Sequence, residues 1–196
     1  MFKRLSLTAA TLGLTALPAF AHLNPEEHGS FMAGLSHPLF GADHILVMVA
    51  VGIWASQIAI SKGKDAALLI IPAAFVGTMA IGFLLALGGI HLPFVEPAIL
   101  ASVIALGLLV AMATRVPISV AAGIVGVFAL FHGHAHGGEL GSAGAFQFGV
   151  GFVIATAFLH LAGVALGLAI AKLGAVATRV VGGMTVLAGL SLVFGG

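Results

Sequence analysis

Six apolar runs, each about as long as a membrane-spanning helix, leave this chain few possible folds. They cover about residues 38–60, 66–88, 97–114, 117–136, 145–171 and 176–194. A helix needs about 20 residues to cross the hydrocarbon core of a bilayer. Apolar residues make up 61% and charged residues 7% of the 196, a balance that would give a water-soluble domain a large exposed apolar surface. The sequence therefore predicts an all-α membrane protein, a six-helix transmembrane bundle.

Residues 1–21 have the pattern of a cleavable signal peptide. Lys3 and Arg4 precede an apolar stretch that ends near the small-x-small triplet Ala19-Phe20-Ala21. Cleavage after this triplet would leave His22 as the first residue of a single transmembrane domain, 22–196. The alternative is that the segment stays as an additional transmembrane helix.

The basic residues beyond the signal peptide all fall on one side of the predicted bundle. They occupy the connections after the first, third and fifth spans or, for Arg179, the first turn of the sixth span: Lys62, Lys64, Arg115, Lys172 and Arg179. Loops rich in Lys and Arg remain in the cytoplasm, and a cleaved signal peptide independently places the mature N-terminus outside. The sequence predicts a multi-pass protein of the bacterial cytoplasmic membrane, with the mature N-terminus and the C-terminus in the periplasm.

The sequence lacks the residues that several functional classes require. The net charge is +1 without a basic patch, so no nucleic-acid partner is expected. The chain has no cysteine, which excludes disulfides and thiolate metal sites. It also has no nucleotide-binding motif. The expected partners are membrane lipids and a divalent metal ion.

The first polar cluster spans His37-Pro-Leu-Phe-Gly-Ala-Asp43-His44. If the first span begins at Pro38, Asp43 and His44 lie about 8 to 9 Å inside the membrane. His37 and His44 would then be about 10 Å apart along one helix axis, so they could share an ion only if the chain bends. The sequence therefore predicts a relay, with His37 at the mouth of the path and the Asp43/His44 pair one step further in. The alternative is a core histidine and a carboxylate that only stabilise helix packing.

The second cluster spans Phe131-His-Gly-His-Ala-His-Gly-Gly-Glu139. His132 and His136 are four residues apart and share a helix face, and Glu139 is expected to add an oxygen ligand. His134 is turned away by about 200°, so it is a weaker candidate, which either attracts ions at the outer surface or has no part in binding. The alternative is a histidine-rich loop without a ligand role.

Together these residues predict a metal-binding path. Imidazole and carboxylate without thiol are typical ligands of a borderline divalent metal, and ionisable groups in the membrane usually have a function. His160, in the middle of the fifth span, is a candidate inner ligand or alternatively a packing residue. His22 and His28 are weaker candidates for capturing ions at the surface.

Three blocks of this sequence resemble the HupE/UreJ family of small nickel permeases. They are H-P-x-x-G-x-D-H at 37–44, F-H-G-x-A-H-G-x-E at 131–139 and A-T-x-x-L-H-x-x-G at 155–163. The resemblance implies a six-helix permease for Ni²⁺ that is linked to maturation of hydrogenase or urease. The matching polar positions are His37, Asp43, His44, His132, His136, Glu139 and His160, and His134 occupies a variable position of the pattern.

The resulting functional prediction is facilitated or secondary transport of Ni²⁺ into the cell, with the ion as cargo rather than as a prosthetic group. Co²⁺ and Zn²⁺ suit the same ligands. The protein is expected not to be an enzyme. The alternative is an intramembrane hydrolase in which a similar His/Asp set holds Zn²⁺ and activates water. A purely structural helical subunit would leave both clusters unexplained.

Overall fold

The computed structural model describes residues 30–140 and 144–195, and the all-α prediction is confirmed over these residues. The signal-peptide prediction falls on residues outside them. The seven helices of the described part are α1 (Phe31–Phe40), α2 (Ala42–Lys62), α3 (Ala67–Leu87), α4 (Val95–Ala111), α5 (Ile118–Glu139), α6 (Ala145–Ala171) and α7 (Ala175–Phe194).

Five of these helices are long and apolar enough to cross a membrane: α2, α3, α5, α6 and α7. The remaining apolar helix, α4, has only 17 residues. The six predicted spans correspond to α2 through α7, with every end within about four residues. The third span was expected to reach residue 114, but α4 ends at Ala111, and Ala113 turns the chain with a φ of 50°.

The predicted start of the first span at Pro38 is wrong. Pro38 lies inside α1, and α2 begins after Gly41, whose φ of −88° and ψ of 115° are extended. A Cβ at this position would approach Nδ1 of His44 to 2.7 Å. The break therefore occurs at the residue that has no side chain, and the chain bends between the two ends of the first polar cluster.

Three helix pairs build the bundle. The helix α3 packs along α5, α2 along α6, and α4 along α7, while α1 lies across the first turns of α6. Contacts between successive turns show that the first two pairs run parallel and the third antiparallel. As a result, the connections α2–α3, α4–α5 and α6–α7, which together with the adjoining helix ends carry the basic residues, lie at one end of the bundle. We call this the basic end.

Glycines allow the helix backbones to come this close. A Cβ on Gly133 of α5 would overlap the carbonyl oxygen of Met79 on α3. On α6, a Cβ at Gly163 would overlap the carbonyl oxygen of Val49, and one at Gly167 would overlap Oγ of Ser56. Gly163 and Gly167, four residues apart on one face of α6, thus allow α2 and α6 to pack closely, as small residues do between helices in lipid.

The helix α2 is the centre of the bundle. Two-thirds of its apolar window (67%) is buried, compared with 22% to 39% for the other four long helices, whose outer faces remain apolar and exposed. Near the basic end, Trp54 Nε1 donates to the carbonyl oxygen of Thr114 at 2.9 Å, and Gln57 Nε2 donates to that of Val110 at 3.1 Å. The first bond ties α2 to the turn after α4, and the second to the last turn of α4, where the carbonyl of Val110 also accepts from the amide of Ala113.

Candidate metal-binding site

The bend at Gly41 brings both ends of the first polar cluster together. His37 stands on α1 and His44 in the first turn of α2, and their ring centroids are 6.0 Å apart at an interplanar angle of 88°. A straight helix would have separated them by about 10 Å along its axis. The chain therefore bends, and His37 and His44 lie side by side, whereas the sequence predicted a relay of two separated sites.

The second polar cluster meets the first from α5. Nε2 of His136 lies 2.6 Å from Nε2 of His44, so one of these nitrogens carries the proton of a hydrogen bond between them. The ring of His136 is also 4.4 Å from that of His37, and the ring of His132 is 5.1 Å from that of His44. Four imidazoles from three helices thus form one group, which we call the histidine cluster: His37, His44, His132 and His136.

Asp43 is the carboxylate beside this cluster. Its Oδ1 lies 3.1 Å from Nδ1 of His44, and its side chain is 25% exposed, whereas that of His44 is 5% exposed. Because His44 also contacts His136 through Nε2, its ring stands between a carboxylate and a second imidazole. The site therefore offers nitrogen ligands with a negative charge nearby, a combination that favours a divalent cation.

Aromatic rings enclose the cluster within the bundle. Phe152 is 4.9 Å from the ring of His136, and Phe148 is 5.6 Å from that of His37. Both phenylalanines stand on the first turns of α6 and are buried. Phe152 also lines the groove between α3 and α6, so its ring lies between His136 and that groove. The cluster is thus shielded from lipid on this side.

The Nε2 atoms of His44 and His136 are spaced as a hydrogen-bonded pair and not as two ligands of one ion. Within residues 30–140 and 144–195, no three His, Asp or Glu side chains are placed to hold one metal ion as they stand. Two nitrogen ligands about 2.05 Å from a tetrahedral ion are about 3.3 Å apart, so the Nε2 atoms of His44 and His136 would have to separate by about 0.7 Å. A small rotation of either ring would accomplish this.

His160 lies deeper in the bundle, apart from the cluster. It is 1% exposed, and its Nδ1 donates to the carbonyl oxygen of Thr156 at 2.7 Å, because that oxygen can only accept. Its Nε2 is buried and has no hydrogen-bond partner among the described residues. The ring of Phe75 stands 4.8 Å from that of His160 and 5.8 Å from that of His132. A second buried nitrogen ligand is thus available beyond Phe75.

His134 faces away from the cluster, as the helical spacing predicted. Its Nε2 lies 2.7 Å from the carbonyl oxygen of Ile90 and 3.2 Å from the amide nitrogen of Leu92, both in the α3–α4 connection. His134 therefore links this connection to α5.

Replacing His134 by alanine is expected to lower the free energy of unfolding by about 1 kcal/mol, because the hydrogen bond between its buried imidazole and the α3–α4 connection is lost. Metal uptake should persist, since the histidine cluster is not touched. Thermal unfolding in detergent and uptake into liposomes measure the two effects, with the exposed neighbour His91→Ala as the control. Loss of uptake at unchanged stability would instead support a ligand role for His134.

The side chains of three predicted ligands fall outside what the structure describes. His22 and His28 precede the described residues, and the role of the Glu139 side chain likewise falls outside what the structure describes; its backbone ends α5. Conversely, sequence reasoning missed Ser102 of α4, whose Oγ lies 3.0 Å from Nε2 of His132. A single serine in an apolar run carries no distinguishing pattern, so only the packing of α4 against α5 reveals it.

Comparison with known proteins agrees with the blocks noted in the sequence. The family model described as HupE / UreJ protein matches residues 10–192. Protein HupE of Rhizobium leguminosarum bv. viciae is 48% identical over 193 residues, which cover 97% of this chain and 98% of that protein. No solved structure shows a significant match. The chain thus belongs to the HupE/UreJ family.

Proposed function

We propose that this protein carries a divalent transition-metal ion, nickel first of all, across the cytoplasmic membrane into the cell. The observation that carries the proposal is the histidine cluster: four imidazoles from three apolar helices, with Asp43 beside them, at the end of the bundle opposite the basic end. Ionisable groups gathered inside a membrane bundle are costly, and they usually mark an ion pathway.

The proposed topology has six transmembrane helices, α2 through α7. The helix α4 would be about 26 Å long, slightly shorter than the hydrocarbon core, and local thinning of the bilayer can accommodate such a difference. Residues 1–21 would be removed as a signal peptide, leaving the domain 22–196. With the basic end in the cytoplasm, the histidine cluster and both mature termini would be on the periplasmic side.

The proposed path begins at the histidine cluster and proceeds toward the basic end. The ion would part the hydrogen-bonded pair of His44 and His136 and then pass Phe75 to reach Nε2 of His160. Several weak sites in sequence suit conduction better than one tight site. The residues assigned to the path are His37, Asp43, His44, His132, His136, Glu139 and His160, with His22 and His28 as capture sites at its entrance.

The membrane potential is sufficient to drive entry. It contributes about 2.3 kcal/mol per elementary charge per 100 mV, and hence about twice this for a divalent cation. Facilitated entry therefore needs no nucleotide hydrolysis. In the family context, the transported nickel would supply the maturation of hydrogenase or urease, with Co²⁺ and Zn²⁺ as competing ions because they accept the same ligands.

Uptake of radioactive Ni²⁺ into liposomes that contain the purified protein tests the proposal. An inside-negative potential should produce uptake well above that of protein-free liposomes, and excess Co²⁺ or Zn²⁺ in the external buffer measures selectivity. Absence of uptake under an imposed potential would contradict transport. Bound Zn²⁺ together with turnover of a peptide or lipid would favour the intramembrane hydrolase instead.

A further inference from the structure

Ser102 is a buried serine that contacts the histidine cluster from α4, a helix that contributes none of the proposed ligands. Its Oγ lies 3.0 Å from Nε2 of His132 and 2.5 Å from the carbonyl oxygen of Ile99. Ser102 and His132 are both fully buried, each with 0% exposure. Water therefore does not compete for these hydrogen bonds.

The directions of the two bonds follow from the groups involved. The carbonyl oxygen of Ile99 can only accept, so the single hydroxyl proton of Ser102 is donated to it. The proton in the second bond must then come from the imidazole, and Nε2–H of His132 donates to Oγ of Ser102. A neutral imidazole that carries its proton on Nε2 has its lone pair on Nδ1.

The remaining nitrogen of His132 has the properties of a vacant ligand atom. Nδ1 is buried and has no hydrogen-bond partner among the described residues. Burying an acceptor without a partner is unfavourable, which makes such an atom a candidate to bind an incoming ion. The ring that carries it stands 5.1 Å from the ring of His44, nearly perpendicular to it at 88°.

We infer that Ser102 is a positioning residue, which holds His132 in the tautomer protonated at Nε2 so that Nδ1 is the atom offered to the ion. This inference rests on the proposed function and refines it. Outer partners of this kind fix the tautomer and orientation of metal-binding histidines, and their loss typically weakens metal affinity about 10- to 100-fold. The helix α4 thus contributes to the site through its packing on α5.

The variant Ser102→Ala tests this role, and Ser56→Ala is its matched control. Ser56 is equally buried at 0% exposure, and its hydroxyl also donates to a carbonyl three residues earlier, that of Ile53, at 2.7 Å. Calorimetric titration of the purified proteins with NiCl₂ in detergent should give a Kd about 10 to 100 times higher for Ser102→Ala. The Kd of Ser56→Ala should equal that of the wild type.

A spectroscopic measurement separates positioning from a structural effect. Nitrogen-15 NMR of histidine-labelled protein without metal distinguishes the two tautomers, and the signals of His132 are those missing from His132→Asn. We expect a proton on Nε2 in the wild type and in Ser56→Ala, and a mixture of tautomers in Ser102→Ala.

Two results would overturn the inference: a proton on Nδ1 of His132 in the wild type, or an unchanged Kd and tautomer in Ser102→Ala. The wild-type spectrum decides the question even if Ser102→Ala fails to fold. A wild-type protein that binds no nickel would contradict the proposed function, and its NMR spectrum would still support or overturn the bond between Ser102 and His132.

Discussion

Replacement of His44 by alanine is expected to reduce Ni²⁺ uptake by at least about 100-fold. Loss of an outer partner already weakens metal binding by about 10- to 100-fold, and His44 is central to the cluster itself. Its Nε2 contacts His136, and its ring adjoins those of His37 and His132. Radioactive uptake into liposomes, normalised to the amount of inserted protein, measures the effect.

The same loss is expected for His132→Ala and for Asp43→Ala, because one removes a ring of the cluster and the other its carboxylate. The control is His91→Ala, which removes an exposed histidine in the α3–α4 connection at the same end of the bundle. Its uptake should match that of the wild type. Normal uptake in all three cluster variants would contradict the proposed path.

Replacement of Gly133 by alanine is expected to destabilise the protein by about 3 kcal/mol or more, an effect at the upper end of those caused by overpacking. The added methyl group would overlap the carbonyl oxygen of Met79 and lie 2.9 Å from the amide nitrogen of Phe83. Both obstructing atoms belong to the backbone of α3, so no side-chain rotation can relieve the overlap. The helices α3 and α5 would have to separate.

The matched control for this variant is Gly123→Ala on the same helix, where an added Cβ meets nothing within 4 Å. Thermal unfolding in detergent can be followed through the fluorescence of Trp54, the only tryptophan of the chain. We expect Gly133→Ala to unfold at a much lower temperature than the wild type. Gly123→Ala should unfold at or slightly above the wild-type temperature, because alanine favours a helix over glycine. Equal unfolding temperatures for the two variants would show that α3 and α5 do not pack as closely as described.

At the first polar cluster, helix geometry predicted only part of the chain's path. Helix geometry alone shows that His37 and His44 can share an ion only if the chain bends between them. The sequence places the start of the first span at Pro38, because proline disfavours helical angles in the residue before it. The helix α1 nevertheless accommodates Pro38, and the break falls at Gly41, where the close approach of His44 leaves no room for a side chain. That approach is a tertiary contact.

At the second polar cluster, helix geometry predicted which histidines share a face but not which residues each ring contacts. The separation of His134 from His132 and His136 is a consequence of 3.6 residues per turn, and the structure has the same division. The partners of each ring were not predictable in this way. The contact of His132 with Ser102, and those of His134 with residues 90 and 92, depend on which helices are neighbours.

Sequence by itself determined the helical class and the approximate helix ends, because lipid forces the backbone to satisfy its hydrogen bonds within each segment. It also named the candidate metal ligands, from the side chains that the two polar clusters carry. Only the tertiary structure decided that α3 lies along α5 and α2 along α6, and that four imidazoles meet at one end. Between helices in lipid, the main attraction is close packing around small residues. Such packing depends on the shapes of segments far apart in the chain, so the periodicity of a single segment does not predict it.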